Sequence, residues 1–259
     1  MSTDDKNAGT HSAILMNSPL ARVLVQIRWP MLTSFNLDGV ASAMSRALGA
    51  PYPLMSRQAE MQVTFTSTGL QEQQTGHIIR FTSVDEAWNI SLGNNFLALD
   101  TNQYEGHTDF IERLRVVLDA LTEVASIPLT ERIGYRYTNR VTGKADIDSV
   151  PARFAPSVLG GMGAAVSDHT LLHTITETVF SAEDALLLIR SARVRANESI
   201  DPSLPPVDED SWILDLDAYE EQRTPFDVAR IADRCEKLAG IAHQHFNEVV
   251  TEKFYERYA

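Results

Sequence analysis

One cysteine, Cys235, stands in a chain of 259 residues. That excludes an intrachain disulfide and any metal site built on several cysteines. Long apolar runs are missing too, since no window approaches the ~20 residues that cross a bilayer as a helix. The opening MSTDDKNAGTHSAILMNS lacks the basic start and extended apolar core of a signal peptide. The expectation is a cytoplasmic protein with no membrane partner. Basic residues are scarce, with 22 Lys and Arg against 35 Asp and Glu and a formal net charge of −13. Nucleic-acid binding draws most of its affinity from phosphate neutralisation, so this balance argues against a nucleic-acid partner.

Several chemical signatures are also absent. Gly-x-Ser-x-Gly does not occur, which removes support for an esterase nucleophile. His169 and His173 fall on a strand pattern, and His243 and His245 point about 200° apart on a helix. Neither is a helical zinc pair. Gly160-Gly-Met-Gly163 resembles a fragment of a phosphate-binding loop without the strand-then-helix setting or the downstream acidic residue of a dinucleotide site. It reads as a flexible loop. No cofactor, metal or catalytic residue is expected on these grounds.

What is present is periodicity, clearest from Phe81 to Val141, where the pattern runs strand, strand, helix, strand. Residues 1–12 are small and polar and read as a disordered tail. Arg22–Trp29 alternates, with Val23, Val25, Ile27 and Trp29 on one face. Leu37–Leu48 is a helix stopped by Gly49-Ala-Pro51. Gln58–Thr68 reads as a strand, Gly69–Gly76 as a polar hairpin connection, and Ile78–Thr82 with Ala87–Leu92 as one long or bent strand. Gly93-Asn-Asn95 is a hairpin turn leading into Phe96–Tyr104. A helix begins near Thr108 and buries Phe110, Leu114, Val117, Leu118 and Leu121 on one stripe, with Pro128 at its end. Ile133, Tyr135, Tyr137 and Val141 then share one face of a strand, and Arg132, Arg136 and Arg140 share the other.

The second half repeats this order loosely. Strands are expected over His169–Ser181 and Leu186–Asn197, a Pro-rich loop over Ser199–Asp210, and a strand over Ser211–Asp217. Thr224 is the expected cap and Pro225 the first residue of a closing helix that reaches roughly Tyr258. Its apolar stripe includes Ile231, Cys235, Leu238, Ala242 and Phe246, which makes Cys235 a core residue rather than a nucleophile. The fold class is α+β: curved antiparallel sheet with helices packed on one face and a long C-terminal helix. Residues 13–259 form a single domain, divisible into structurally related halves at 13–145 and 146–259.

Some pieces carry a resemblance. They are Gln26-Ile-Arg-Trp-Pro30, Phe81-Thr-Ser-Val-Asp85 with Trp88, Phe96-Leu-Ala-Leu-Asp100 with Tyr104, Arg132-Ile-Gly-Tyr-Arg-Tyr-Thr-Asn139, and Leu214-Asp-Leu-Asp217 with Tyr219. With His243 and Phe246 of the late helix they cover most of the chain. The sequence resembles a patchily distributed prokaryotic family of this length whose function is unassigned. Trp29 departs from the more usual Phe. The resemblance implies a full-length family domain and carries over no catalytic residue.

Two constellations could carry chemistry. The strip Arg132, Arg136 and Arg140 could hold a small anion such as phosphate or a carboxylate, since the guanidinium fork suits either. The competing reading is an ion-paired sheet face. Asp215 and Asp217 share a strand face and could bind a divalent metal, but no phosphate loop accompanies them. The leading expectation is a non-enzymatic protein-interaction or regulatory module whose partner is another protein. Homodimerisation through a strand edge is the second form of association. The alternative is an anion- or nucleotide-binding protein or enzyme, with a pocket between the long helix and the sheet lined by Arg28, Arg132 or Arg136.

Overall fold

The alternation read over Arg22–Trp29 produces the middle strand of the sheet, β1 (Leu20–Arg28). Val23, Val25, Ile27 and Trp29 are wholly buried on one face, and the Trp29 Nε1–H donates to the Asn94 carbonyl at 3.2 Å. The computed structural model describes residues 18–66, 69–164, 168–182, 184–201 and 204–258, with the side chains of 60–75 outside the description. The tail read over residues 1–12 lies outside it.

Within the described residues, nine strands make one antiparallel sheet. Besides β1 they are β2 (Leu54–Thr66), β3 (Gly69–Thr82), β4 (Trp88–Leu92), β5 (Phe96–Thr101), β7 (Arg132–Thr142), β8 (Thr174–Ala182), β9 (Ala185–Val194) and β10 (Ser211–Glu220). Their order is β2-β3-β4-β5-β1-β7-β10-β9-β8. A two-residue ladder, β6 (Leu129–Thr130) with β11 (Thr224–Pro225), stands apart.

This order contains an internal correspondence. In the first half, β1 pairs with β5, the last strand of a meander that precedes a helix. In the second, β7 pairs with β10 in the same way. Strands β3-β4-β5-β1 therefore match β8-β9-β10-β7, and β2 is an additional edge. The two halves meet where β1 and β7 lie antiparallel, from Arg22 against Thr138 to Arg28 against Arg132.

Three helices cover one face: α1 (Leu37–Leu48), α2 (His107–Val124) and α5 (Val228–Val249). Their inward stripes join the β1, β7 and β10 faces in one core. Phe110, Leu114, Val117, Leu118 and Leu121 of α2 are all fully buried. Each such side chain stabilises the fold by about 1.5–3 kcal/mol relative to exposure. Cys235 is buried in the same core, and burial pushes its thiol well above the ordinary range. Short helices α3 (Lys144–Asp148) and α4 (Val150–Arg153) follow β7, and α6 (Glu252–Tyr258) closes the described chain.

Four expectations need correction. Gly69–Gly76 continues β3 instead of forming a connection, because the long β2–β3 pair carries its register to Thr66 and Gly69. Ile78–Thr82 and Ala87–Leu92 are parts of two strands, since Ser83–Glu86 reverses the chain: Glu86 N–H donates to the Ser83 carbonyl, and Ser83 Oγ donates to Asp85. The closing helix is capped by Asp227, whose Oδ1 accepts from the Arg230 N–H at 2.8 Å, while Thr224 and Pro225 are held extended against Thr130 and Leu129. That helix stops at Val249, where Val250 turns extended and bridges Phe154, and α6 then buries Phe254 against Phe154 and Phe246.

Candidate functional site

Alternation along β7 puts Ile133, Tyr135 and Val141 into the core under α5, so Arg132, Arg136 and Arg140 stand on the opposite, helix-free face. Arg28 of β1 is directly across from Arg132 on that face and is exposed. The three sequence candidates, Arg28, Arg132 and Arg136, thus come together on one side of the sheet. It is the side away from the long helix.

Two of them are occupied by carboxylates. Arg132 donates to Asp217 Oδ2 at 2.8 Å, and its guanidinium lies 4.4 Å above the Tyr219 ring. Gly134 makes room for this pair, since a Cβ there would sit 2.8 Å from an Arg132 nitrogen. Arg136 donates to Asp215 Oδ1 at 2.6 Å and also pairs with Asp201. Thr138 donates to the same Asp215 oxygen at 2.9 Å, and Arg190 lies 3.9 Å from the other. Arg190 continues to Glu177 of β8 at 2.7 Å. Burial opposes the Arg136 charge, but Asp215 and Asp201 more than offset it and hold the guanidinium firmly protonated. Burial pushes the Asp217 carboxyl upward, although Arg132 and Arg136 pull it down and Asp215 adds to the rise. The Asp215 and Asp217 carboxylates are therefore engaged by arginines. Among the described residues, no group of three or more His, Cys, Asp or Glu side chains is placed to hold a metal ion.

A second ladder crosses the other half of the same face. Asp100 of β5 pairs with Arg22 at 3.0 Å and lies 3.7 Å from Arg80. Asn89 donates to Asp100 at 3.3 Å and accepts from Arg80 at 3.1 Å and from Thr82 at 3.0 Å. The register of β1 against β7 shifts at Ala21, a bulge beside these groups.

Over this second ladder lies a cavity of about 580 Å³. Arg22, Arg80, Arg140, Asn89 and Asp100 line it, and Leu204, Pro205 and Val207 of the Pro-rich loop form one wall. Leu204 anchors that loop in a small apolar cluster with Ala192, Val194 and Ile213. Arg140 belongs to neither ladder. Among the described residues, its buried Nε has no hydrogen-bond partner and no carboxylate pairs with it. Burial pulls its guanidinium below the usual range, with no anion to offset the cost. Among the described residues that line it, Asp100 and Glu86 bring two negative charges against the three positive ones of Arg22, Arg80 and Arg140.

Sequence reasoning placed Arg140 in the strip of arginines but did not separate it from Arg132 and Arg136. The alternation on β1 marked Arg22 as outward-facing, whereas Arg80, Asn89 and Asp100 had no local signal. Their meeting depends on the β3-β4-β5-β1 register.

No family model and no curated protein matches the chain. No described helix is long and apolar enough to cross a membrane.

Proposed function

We propose that the protein binds a small anionic ligand, a phosphorylated or carboxylated metabolite, in the cavity over the second ladder. The observation that carries this reading is Arg140, a half-buried guanidinium whose buried Nε has no partner among the described residues, in a chain of net charge −13. Buried charges are ordinarily paired, because desolvation without a partner is costly. A ligand carboxylate or phosphate supplies the missing partner, and Arg22 and Arg80 bring two further guanidinium groups to the lining of the same cavity. The reading is of binding rather than catalysis. The strands carrying the family resemblance, Arg132–Asn139 and Leu214–Asp217, build the adjoining ladder.

The test is thermal unfolding against nucleotides, sugar phosphates, inorganic phosphate and dicarboxylates. Ligand at about 100 times its dissociation constant stabilises the fold by about 2.7 kcal/mol. The expected result is a stabilising anion whose effect disappears in Arg140→Leu. A panel without response, or a response that survives Arg140→Leu, rejects the assignment.

A second reading rests on the edge strand β8. Ile175, Val179 and Phe180 are about half exposed there, and Leu172 just before them is 58 % exposed. An unpaired strand edge with apolar side chains is a template for strand addition by another protein, or by a second copy of this chain. Light scattering of Val179→Lys against the native protein tests the second copy. A native dimer converted to monomer supports it, and two monomers remove it.

A further inference from the structure

A second cavity of about 580 Å³ lies on the opposite face, between α5 and the sheet. Its floor is Tyr137 and Asn139 of β7, and one wall is Tyr104-Glu105-Gly106-His107 at the entry to α2. The other wall is a single stripe of α5, Glu236, Gly240 and His243, spaced i, i+4, i+7 and followed by Phe246. The long helix and the sheet do enclose a pocket, but no arginine lines it.

Its chemistry is the reverse of the open-face cavity. Glu105 and Glu236 are its charged side chains, and neither Lys nor Arg is among its lining residues. Among the described residues Glu105 makes no ion pair, and Glu236 reaches only Arg115, at 3.9 Å, a guanidinium closer to Asp233 at 3.4 Å. His107 does not balance them, because burial favours its neutral form, with Glu236 opposing. Aromatic rings supply the rest. Tyr104 and Tyr137 meet edge to face at 5.9 Å with hydroxyls 3.4 Å apart, and Phe246 adds a third ring.

Gly240 is an independent pointer. It sits inside the 22-residue helix α5, where glycine is among the least favourable residues. A Cβ there would meet nothing within 4 Å, so packing does not demand glycine. It lines the groove with open space beside it, so a larger side chain at this position has room to extend into it.

We infer that this groove binds an organic cation, its ammonium attracted by Glu105 and Glu236 and its apolar part laid against Tyr104, Tyr137 and Phe246. Carboxylates together with aromatic faces are the chemistry that recognises substituted ammonium groups. The volume falls within the range of small-molecule sites. The site is independent of Arg140 and of the anion reading.

Calorimetric titration with choline, benzyltrimethylammonium and spermidine tests it, with dimethylbutanol as the neutral isostere of choline. Binding by at least one cation is expected, with the isostere on the order of tenfold weaker or worse. The double variant Glu105→Gln/Glu236→Gln should lose that cation preference. Gly240→Leu, which fills the groove without changing charge, should abolish binding while the thermal midpoint holds or rises. Arg140→Leu should leave binding intact. The inference is overturned if no cation binds, if the isostere binds equally well, or if binding survives Gly240→Leu.

Discussion

Arg136 reaches diagonally to Asp215, at 2.6 Å, although the residue directly across the strand pair is Asp217. Asp215 is 1 % exposed, and it also accepts from Thr138 and lies near Arg190. Removing this carboxylate leaves Arg136 with Asp201 and Arg190 with Glu177, and leaves the buried Thr138 hydroxyl without its acceptor. Asp215→Ala is therefore expected to cost about 3–5 kcal/mol, the range for breaking a buried pair by removing one partner. Urea unfolding measures it, and a loss below about 1 kcal/mol would mean that the ladder is effectively solvated.

Arg140 predicts the opposite sign. Its charge is partly desolvated without compensation, so Arg140→Leu should leave the ligand-free protein at least as stable as the native one. Calorimetric melting of the two proteins side by side checks this. A clear destabilisation would show that the guanidinium serves the fold.

The C-terminal helix should be acid-labile. Hydrogen bonds from Arg257 and Arg153 hold the Asp146 carboxyl below its ordinary value of 3.8. A depressed folded value contributes stability that is fully present above 3.8 and lost as pH falls through the lower, folded value. Since Arg257 belongs to α6 and Arg153 to α4, protonation loosens the contact between them. Limited proteolysis between pH 5 and pH 2 (roughly the window in which a depressed carboxylate titrates) should show cleavage near residue 250 rising only at the acid end. In Asp146→Asn that cleavage should already be present at pH 5.

Gly160 is where a substitution should be least tolerated. Its φ is +52°, and a Cβ would stand 2.1 Å from the Thr176 Oγ1 on β8. Gly160→Ala is expected to destabilise by about 2–3 kcal/mol, combining left-handed backbone strain with the clash. Adding Thr176→Ala should recover the clash and leave about 1 kcal/mol of backbone strain. If Gly160→Ala melts with the native protein, the tight approach is wrong.

That glycine also shows where sequence reading falls short. Gly160-Gly-Met-Gly163 was expected to be a flexible loop, yet it forms a 3-10 turn packed on β8, with the Gly161 N–H donating to Thr174 Oγ1 at 3.3 Å. Nothing local distinguishes a glycine that supplies flexibility from one that permits close approach. Amphipathic elements were legible because their stripes report a buried face directly: α1 begins and ends where its pattern does, and the α2 stripe is buried as expected. The arginine face of β7 was legible for the same reason. The partners of those arginines were not, because Asp215 and Asp217 meet them through a register roughly 80 residues distant in the chain, and only long-range strand pairing decides such a meeting. Thr224-Pro225 satisfied the local rules for a helix entry, but pairing with Leu129-Thr130 overrode them.

The seam between β1 and β7 has a consequence for how this chain is put together. A strand laid antiparallel against its own counterpart is the self-complementary contact of a twofold dimer. Here both partners belong to one polypeptide, so the same contact is made within the chain. The two half-orders differ in their additions: one carries the extra strand β2, and the other carries α3, α4 and the turn at Gly160 in its connection. Each face of this one frame carries its own cavity, and the neighbours Asn139 and Arg140 on β7 line one each.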